Sequence, residues 1–98
     1  KGYIILSQVL DEAHLLNLCV SLKYQGFGLG RELIARGIKE VVKRGARKMF
    51  LEVRRSNMRA IRLYESFGFS EIGIRTNYYQ GSSLSEDAVV MALVLPVN

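Results

Sequence analysis

The stretch LCVSLKYQGFGLGRELIARGIKEVVKR, residues 18–44, decides the fold of this chain. It opens as the apolar end of a strand and passes through a loop with glycine at positions 26, 28 and 30. Beyond the loop, apolar residues recur at helical spacing, at Leu33, Ile34, Ile38, Val41 and Val42. A glycine loop leading into a helix N-terminus favours an anion such as a phosphate, although the glycines alone fit an ordinary turn equally well.

Further strands and a second helix lie on either side of this unit. The apolar patterns predict strands at 3–9, 13–20, 48–54, 69–76 and 86–95, helices at 29–44 and about 57–67, and a loop around 80–83. Gly37, inside the first helix, predicts a close approach of that helix to the sheet, while Gly45 and Gly68 end the two helices. The order β-β-α-β-α-β-β predicts a three-layer α/β/α domain with a mixed, mainly antiparallel sheet.

The composition is that of a single compact domain over residues 1–98. Hydrophobic residues make up 49% of the chain and charged residues 23%, which argues against disorder. No apolar run has the length of a membrane span, and no secretory leader opens the chain. Cys19 and His14, the only cysteine and the only histidine, are too few for a disulfide or a closed zinc site. We therefore expect a cytoplasmic protein without a metal.

The formal charge of +5 suits an anionic partner, whether a phosphate-bearing cofactor, a nucleic acid or an acidic peptide. Lysine and arginine are spread over the predicted helices and strands, without the aromatic signature of an RNA-recognition sheet. We expect no direct nucleic-acid role. A non-enzymatic basic module that binds nucleic acid remains the alternative from a different class.

The spacing of the glycines excludes the two common phosphate-binding motifs. Counted from Gly26, a dinucleotide fingerprint would need a third glycine where Arg31 stands. A P-loop would need Gly-Lys-Ser/Thr, whereas the loop ends with Gly30, Arg31 and Glu32. The pattern that fits is Q-x-x-G-x-G, beginning at Gln25.

This pattern resembles motif A of the GNAT superfamily, which binds the pyrophosphate of acetyl-coenzyme A. The segments LEVR at 51–54 and SNMRAIRLYESFGF at 56–69 are similar to motif B of the same superfamily. Together with EDAVVM at 86–91, they make the chain resemble the ribosomal-protein alanine N-acetyltransferases. The resemblance implies transfer of an acetyl group from acetyl-coenzyme A to the N-terminal amine of a ribosomal protein. The alternative within the superfamily is an enzyme that acts on lysine or a small amine.

The resemblance also implies a set of cofactor-binding residues. The backbone of Leu18, Cys19 and Val20 would pair with the pantetheine arm, and Asn57 would contact the same arm. The residues that would hold the pyrophosphate are Gly26, Phe27, Gly28, Leu29, Gly30 and Arg31. Acetyl-coenzyme A is then a cosubstrate, and the site needs no metal.

Two side chains are predicted to move protons. Glu52 interrupts an apolar strand, and the resemblance makes it the base; the alternative is an edge-strand or an ion-paired glutamate, with Arg54 beside it. Tyr64 would be the acid, because a phenol stays protonated at neutral pH and can donate to a thiolate. Its alternative role is packing beside Ile61 and Phe67 on an amphipathic helix.

The family's domain normally begins with further elements that form one wall of the peptide groove. Since the chain starts at Lys1 in a predicted strand, we expect an N-terminally truncated domain that binds the cofactor better than it transfers acetyl to a peptide. Sheet edges exposed by such a truncation predict a homodimer.

Overall fold

The computed structural model describes residues 1–26, 28–79 and 86–96, except for the side chains of 77–79. Its elements in chain order are β1 (Gly2–Val9), β2 (Glu12–Val20), a 3-10 turn (Leu22–Tyr24), α1 (Leu29–Lys43), β3 (Lys48–Arg54), α2 (Met58–Ser66), β4 (Ser70–Tyr79) and β5 (Glu86–Val94). The strands form one mixed sheet in the order β1-β2-β3-β5-β4, so β1 and β4 are its edges. The pairs β1–β2 and β4–β5 are antiparallel.

The predicted element order and α/β class are confirmed, and the differences are local. β2 begins at Glu12, one residue earlier than predicted, because the hairpin turns on Leu10 and Asp11 alone. Leu10 adopts φ 55 to make that turn. The predicted loop after β2 contains the short 3-10 turn, and the loop predicted at 80–83 lies outside the described residues.

The chain divides into two compact units, Lys1–Met49 with the residues from Val94 onward, and Phe50–Leu93. In the first unit, α1 packs on the β1–β2 hairpin. Gly37 is buried there, and a Cβ at this position would lie 3.1 Å from Ile4 Cδ1 and 3.2 Å from Leu6 Cδ1. These distances are shorter than ordinary van der Waals contact, and both side chains would have to shift by a few tenths of an ångström, so the predicted close approach of helix and strand is confirmed.

Glycines end both helices by the same hydrogen-bond pattern. After α1, Gly45 has φ 88 and donates its N–H to Val42, while Ala46 donates to Val41. This pair of bonds is the Schellman motif, which satisfies carbonyls that a helix end would leave unpaired. The buried side chains of Val41 and Ala46 belong to the core of the first unit.

In the second unit, the end of α2 repeats this arrangement. Gly68 has φ 101 and donates to Glu65, and Phe69 donates its N–H to Tyr64. The rings of Tyr64 and Phe69 meet edge to face, with centroids 5.9 Å apart. This is the apolar contact that accompanies a Schellman motif, and it fixes the last turn of α2 against the start of β4.

Glu86, at the start of β5, fastens the connection between β3 and α2. Its Oε1 accepts the Ser56 N–H at 3.1 Å, and its Oε2 lies 3.4 Å from Arg54 Nη1. One residue along on each strand, the Arg55 N–H donates to the Asp87 carbonyl at 3.1 Å. Hydrogen bonds from Ser56, with help from Arg54, hold the pKa of the Glu86 carboxyl below its usual range.

The close approach at position 37 predicts a large effect of a branched side chain. We expect Gly37→Val to lower the free energy of unfolding by about 1–3 kcal/mol, because the valine methyls would push α1 away from β1. The control is Ala35→Val, at an exposed position of the same helix, with an expected change of about 0.5 kcal/mol. Urea unfolding of the chain would measure both. Equal losses in the two variants would contradict the close approach.

The lowered pKa of Glu86 predicts how its contribution depends on pH. A carboxylate whose pKa is lower in the folded state stabilises fully above its unfolded value of about 4.5 and loses the effect as pH falls through the folded value. We expect Glu86→Gln to lower Tm at pH 7, with the gap to the parent chain closing below pH 4. Glu71→Gln, which removes an exposed ion pair to Arg55, serves as the control and should change Tm little. A gap of constant size from pH 7 to pH 3 would contradict this role.

Candidate functional site

The loop after β2 is held by its own hydrogen bonds. Tyr24 donates its N–H to the Ser21 carbonyl at 2.9 Å, and Gln25 donates to Leu22 at 3.3 Å, which closes the 3-10 turn. The Gln25 side chain then reaches back, and its Nε2 donates to the Val20 carbonyl at 3.0 Å. The glutamine that opens the Q-x-x-G-x-G pattern therefore fixes the loop to the end of β2.

The two glycines that follow lie in the left-handed region. Gly26 has φ 87, and Gly28 has φ 78 with ψ 8. A Cβ at either position would meet none of the described atoms within 4 Å, so the backbone conformation, and not crowding, is what calls for glycine here. Phe27, predicted to belong to the same loop, lies outside the described residues.

Gly28 is also the N-cap of α1, and it has no side chain that could accept a hydrogen bond from the first turn. The helix begins at Leu29, so Gly30 and Arg31 belong to its first turn. The first amides of an α-helix have no acceptor within the helix, and the helix dipole adds a partial positive charge at this end. An uncovered glycine cap at the start of a 15-residue helix therefore fits a phosphate group.

The end of β2, just before the loop, supplies the residues predicted to pair with a pantetheine arm. Leu18, Cys19 and Val20 lie opposite Ile4, Tyr3 and Gly2 in the antiparallel β1–β2 ladder. Ser21 donates its N–H to the Lys1 carbonyl at 2.6 Å. Because hydrogen-bonded positions alternate along an antiparallel pair, the backbone groups of Cys19 face β1, whereas those of Leu18 and Val20 face away from it.

Glu52 lies on β3 with its side chain 29% exposed. The residues flanking it, Leu51 and Val53, are buried, as the predicted alternation requires. Glu52 Oε2 accepts a hydrogen bond from Arg75 Nη1 at 2.7 Å. Of the alternative prediction, the edge-strand position is wrong, because β3 is the central strand of the sheet. The glutamate is ion-paired, as that alternative also allowed, but with Arg75, whereas Arg54 pairs with Glu86.

Asn57 and Tyr64 both belong to α2. Asn57 is the N-cap of the helix, and its Oδ1 accepts the Ala60 N–H at 3.2 Å. That capping bond uses the amide oxygen of the side chain, whose Nδ2 group is a hydrogen-bond donor. Tyr64, two turns further on, is buried within its unit with Phe69 against its ring. Ile61, predicted to pack on the same side of α2, is buried as well.

Three contacts were absent from the sequence-based predictions. Gln25 was expected only as part of a motif, and Arg75 and Glu86 were not predicted to have a role. Arg75 and Glu86 have partners far away along the chain. Arg75 pairs with Glu52, 23 residues away, and Glu86 bonds Ser56, 30 residues away. No local periodicity signals such a pairing.

The described residues contain neither a candidate membrane-spanning helix nor a cluster of metal-binding side chains. None of the helices within 1–26, 28–79 and 86–96 is long and apolar enough to cross a membrane. In the same ranges, no group of three or more His, Cys, Asp or Glu side chains is placed to hold a metal ion.

Comparison with known proteins gives consistent matches. The chain is 52% identical over 92 residues to the ribosomal protein bS18-alanine N-acetyltransferase of Escherichia coli K12, an alignment that covers 94% of this chain and 62% of that protein. The crystal structure of the Escherichia coli ribosomal-protein-S18-alanine N-acetyltransferase superposes with a TM-score of 0.93 and 48% identity, covering 99% of this chain and 63% of that one. A Bacillus subtilis acetyltransferase in complex with CoA, 22% identical, shares the fold with a TM-score of 0.89, covering 97% of this chain and 69% of that one.

The chain therefore spans a little over three fifths of the length of these bS18-alanine N-acetyltransferases. Its first 69 residues match the model of the Acetyltransferase (GNAT) family, and these include β1 to α2 and the glycine loop. With a match over more than half of its length, this chain belongs to the GNAT acetyltransferase family.

Proposed function

We propose that this chain carries the acetyl-coenzyme A site of an N-acetyltransferase that modifies the N-terminal alanine of a ribosomal protein. The observation that carries the proposal is the left-handed glycine cap, Gly28, at the head of α1. The fold alone is shared by acetyltransferases with different acceptors. The identity of 52% to a bS18-alanine N-acetyltransferase favours this acceptor.

In this proposal, the loop binds the cosubstrate through its backbone. The amides at the start of α1 hold the pyrophosphate, from Gly26 through Arg31, and the left-handed glycines let the chain approach it. The pantetheine arm pairs with the end of β2, where Leu18 and Val20 present their groups away from β1. The backbone groups of Cys19 face β1, so the pairing with the arm falls to its two neighbours, and no step uses the Cys19 thiol. Asn57 donates from Nδ2 to a carbonyl of the arm.

The chemistry is a direct transfer. The amine nitrogen of the acceptor forms a bond to the acetyl carbonyl carbon, and the bond from that carbon to sulfur breaks. The amine loses a proton to Glu52, whose Oε1 is the oxygen not engaged by Arg75. The departing thiolate gains a proton from the Tyr64 hydroxyl. Neither proton step needs a metal or a covalent enzyme intermediate.

The acceptor and the cellular setting are part of the proposal. A ribosomal acceptor implies a cytoplasmic enzyme, and a free, exposed Cys19 suits a reducing compartment. An enzyme acting on lysine or a small amine would use the same cofactor site. Association through β1 or β4, the two sheet edges, remains a prediction.

The loop assignment predicts a charge effect at Gly28. Gly28→Asp should weaken the binding of acetyl-coenzyme A at least about tenfold, because a carboxylate would be placed against the pyrophosphate. Gly28→Asn is the matched control: it has the same shape and an equal tolerance of the left-handed conformation, but no charge. We expect it to bind several times more tightly than the aspartate variant. Calorimetric titration measures both, and equal affinities of the two folded variants would refute the loop assignment.

The acid–base assignment predicts losses in turnover without losses in cofactor binding. Glu52→Gln and Tyr64→Phe should each slow transfer roughly 100-fold, while the affinity for acetyl-coenzyme A changes little. Glu71→Gln is the control for a glutamate in an ion pair of the same unit. If both variants turn over as fast as the parent chain, the assigned roles are wrong.

The acceptor class is tested with the same Glu52→Gln variant. The loss of transfer rate in this variant should become smaller at high pH, where the amine is already neutral. It should become smaller at a lower pH for an α-amine (pKa about 7.7–8.0) than for lysine (pKa about 10.4). Transfer is compared between an alanine-initiated peptide, the same peptide blocked at its N-terminus and carrying a lysine, and a small polyamine. Preference for either of the last two would contradict the proposed acceptor.

A further inference from the structure

The ion pair between Arg75 and Glu52 differs from the others in its unit. Arg75 Nη1 lies 2.7 Å from Glu52 Oε2, whereas the pairs Arg54–Glu86 and Arg55–Glu71 span 3.4 and 3.5 Å. The distance of 2.7 Å is that of a strong charge-assisted hydrogen bond, and the other two distances are looser. The Glu52 side chain is 29% exposed, similar to the 28% of Glu86 and below the 46% of Glu71, so the short distance is what distinguishes this pair.

The topology makes this contact specific. Arg75 lies on β4 and Glu52 on β3, and β5 runs between them in the sheet. The two strands are therefore separated by about 9.5 Å, twice the spacing of neighbouring strands, and only long side chains can meet across that gap. Ala88 is the partner of Arg75 on β5, and it is fully buried. Directly paired residues lie on the same face of the sheet, so Arg75 extends across β5 at the position of the small Ala88 side chain.

We propose that Arg75 is a positioning residue that holds the Glu52 carboxylate in the orientation needed for proton transfer. The inference rests on the proposed role of Glu52 as the base. Arg75 fixes Oε2 and so directs Oε1, the second oxygen of a rigid carboxylate. A glutamate side chain left to itself samples many rotamers, and a general base must lie within hydrogen-bonding reach of the proton it takes.

A structural role alone would give a different result. An ion pair at this degree of exposure contributes little to stability, so its loss should leave folding nearly unchanged. A positioning role instead concentrates the effect on turnover, because small displacements of a catalytic group are costly. It also makes the effect depend on Glu52, since Arg75 acts only through that carboxylate.

The test is a double-mutant cycle with the variants Arg75→Gln, Glu52→Gln and the combination of both, measured on the 98-residue chain. The readouts are the rate of acetyl transfer to an alanine-initiated peptide, the affinity for acetyl-coenzyme A and Tm. We expect Arg75→Gln to slow transfer about tenfold or more with cofactor affinity unchanged. In the Glu52→Gln background, the same change should cost less than about twofold.

Two further variants sharpen the result. Arg75→Lys keeps the charge but loses the planar fork and some length, so it should recover only part of the rate. Arg55→Gln removes an arginine from the looser pair with Glu71 and should leave transfer unchanged. An additional tenfold loss on top of Glu52→Gln, or a loss that follows Tm, would overturn the positioning role.

The outcomes keep the two proposals apart. A Glu52→Gln chain that transfers as fast as its parent refutes the assignment of the base, and with it the function of Arg75 as stated. An impaired Glu52→Gln chain combined with an unimpaired Arg75→Gln chain refutes the inference alone and leaves the proposed function intact.

Discussion

The contact on which the first unit depends is the one between α1 and β1 at Gly37. A Cβ at this position would lie 3.1 Å from Ile4 Cδ1 and 3.2 Å from Leu6 Cδ1, closer than ordinary van der Waals contact. Because side chains in a protein interior are closely packed, a helix at this distance tolerates little displacement toward the strand. The packing of α1 thereby also constrains the loop that joins the end of β2 to Gly28 at the head of the helix.

The second unit uses side-chain contacts for the same purpose. Tyr64 is set by the end of α2, where a Schellman motif and the ring of Phe69 fix both its backbone and its side chain. Asn57 is held at the beginning of α2 by its own capping bond, and the preceding residue, Ser56, donates its N–H to the Glu86 carboxylate. The two site residues predicted on this helix are therefore held at its opposite ends by different contacts: Asn57 by hydrogen bonds, and Tyr64 by the Schellman motif and an aromatic contact.

The parts of the molecule that the sequence predicts well are those that follow from local pattern. Apolar spacing gave the helix after position 28, the alternation around Glu52 gave β3, and glycines after each helix gave the two caps. The misassigned partner of Glu52 shows where such reasoning stops. Arg54 is close in sequence but is engaged by Glu86, while Arg75 reaches the carboxylate from two strands away. Strand order decides that choice, and strand order is a property of the whole sheet.

The cap on α2 has a consequence for how natural variants of this chain should be interpreted. Helix formation asks only for an oxygen at position 57, and aspartate, serine or threonine could supply it as well as asparagine does. In the proposed cofactor site, by contrast, the ligand would contact the nitrogen of the same amide group. A substitution at this position can thus be silent in every assay of folding while exchanging a donor for an acceptor at the surface. Tolerance to mutation measured by stability alone would misjudge this residue as replaceable.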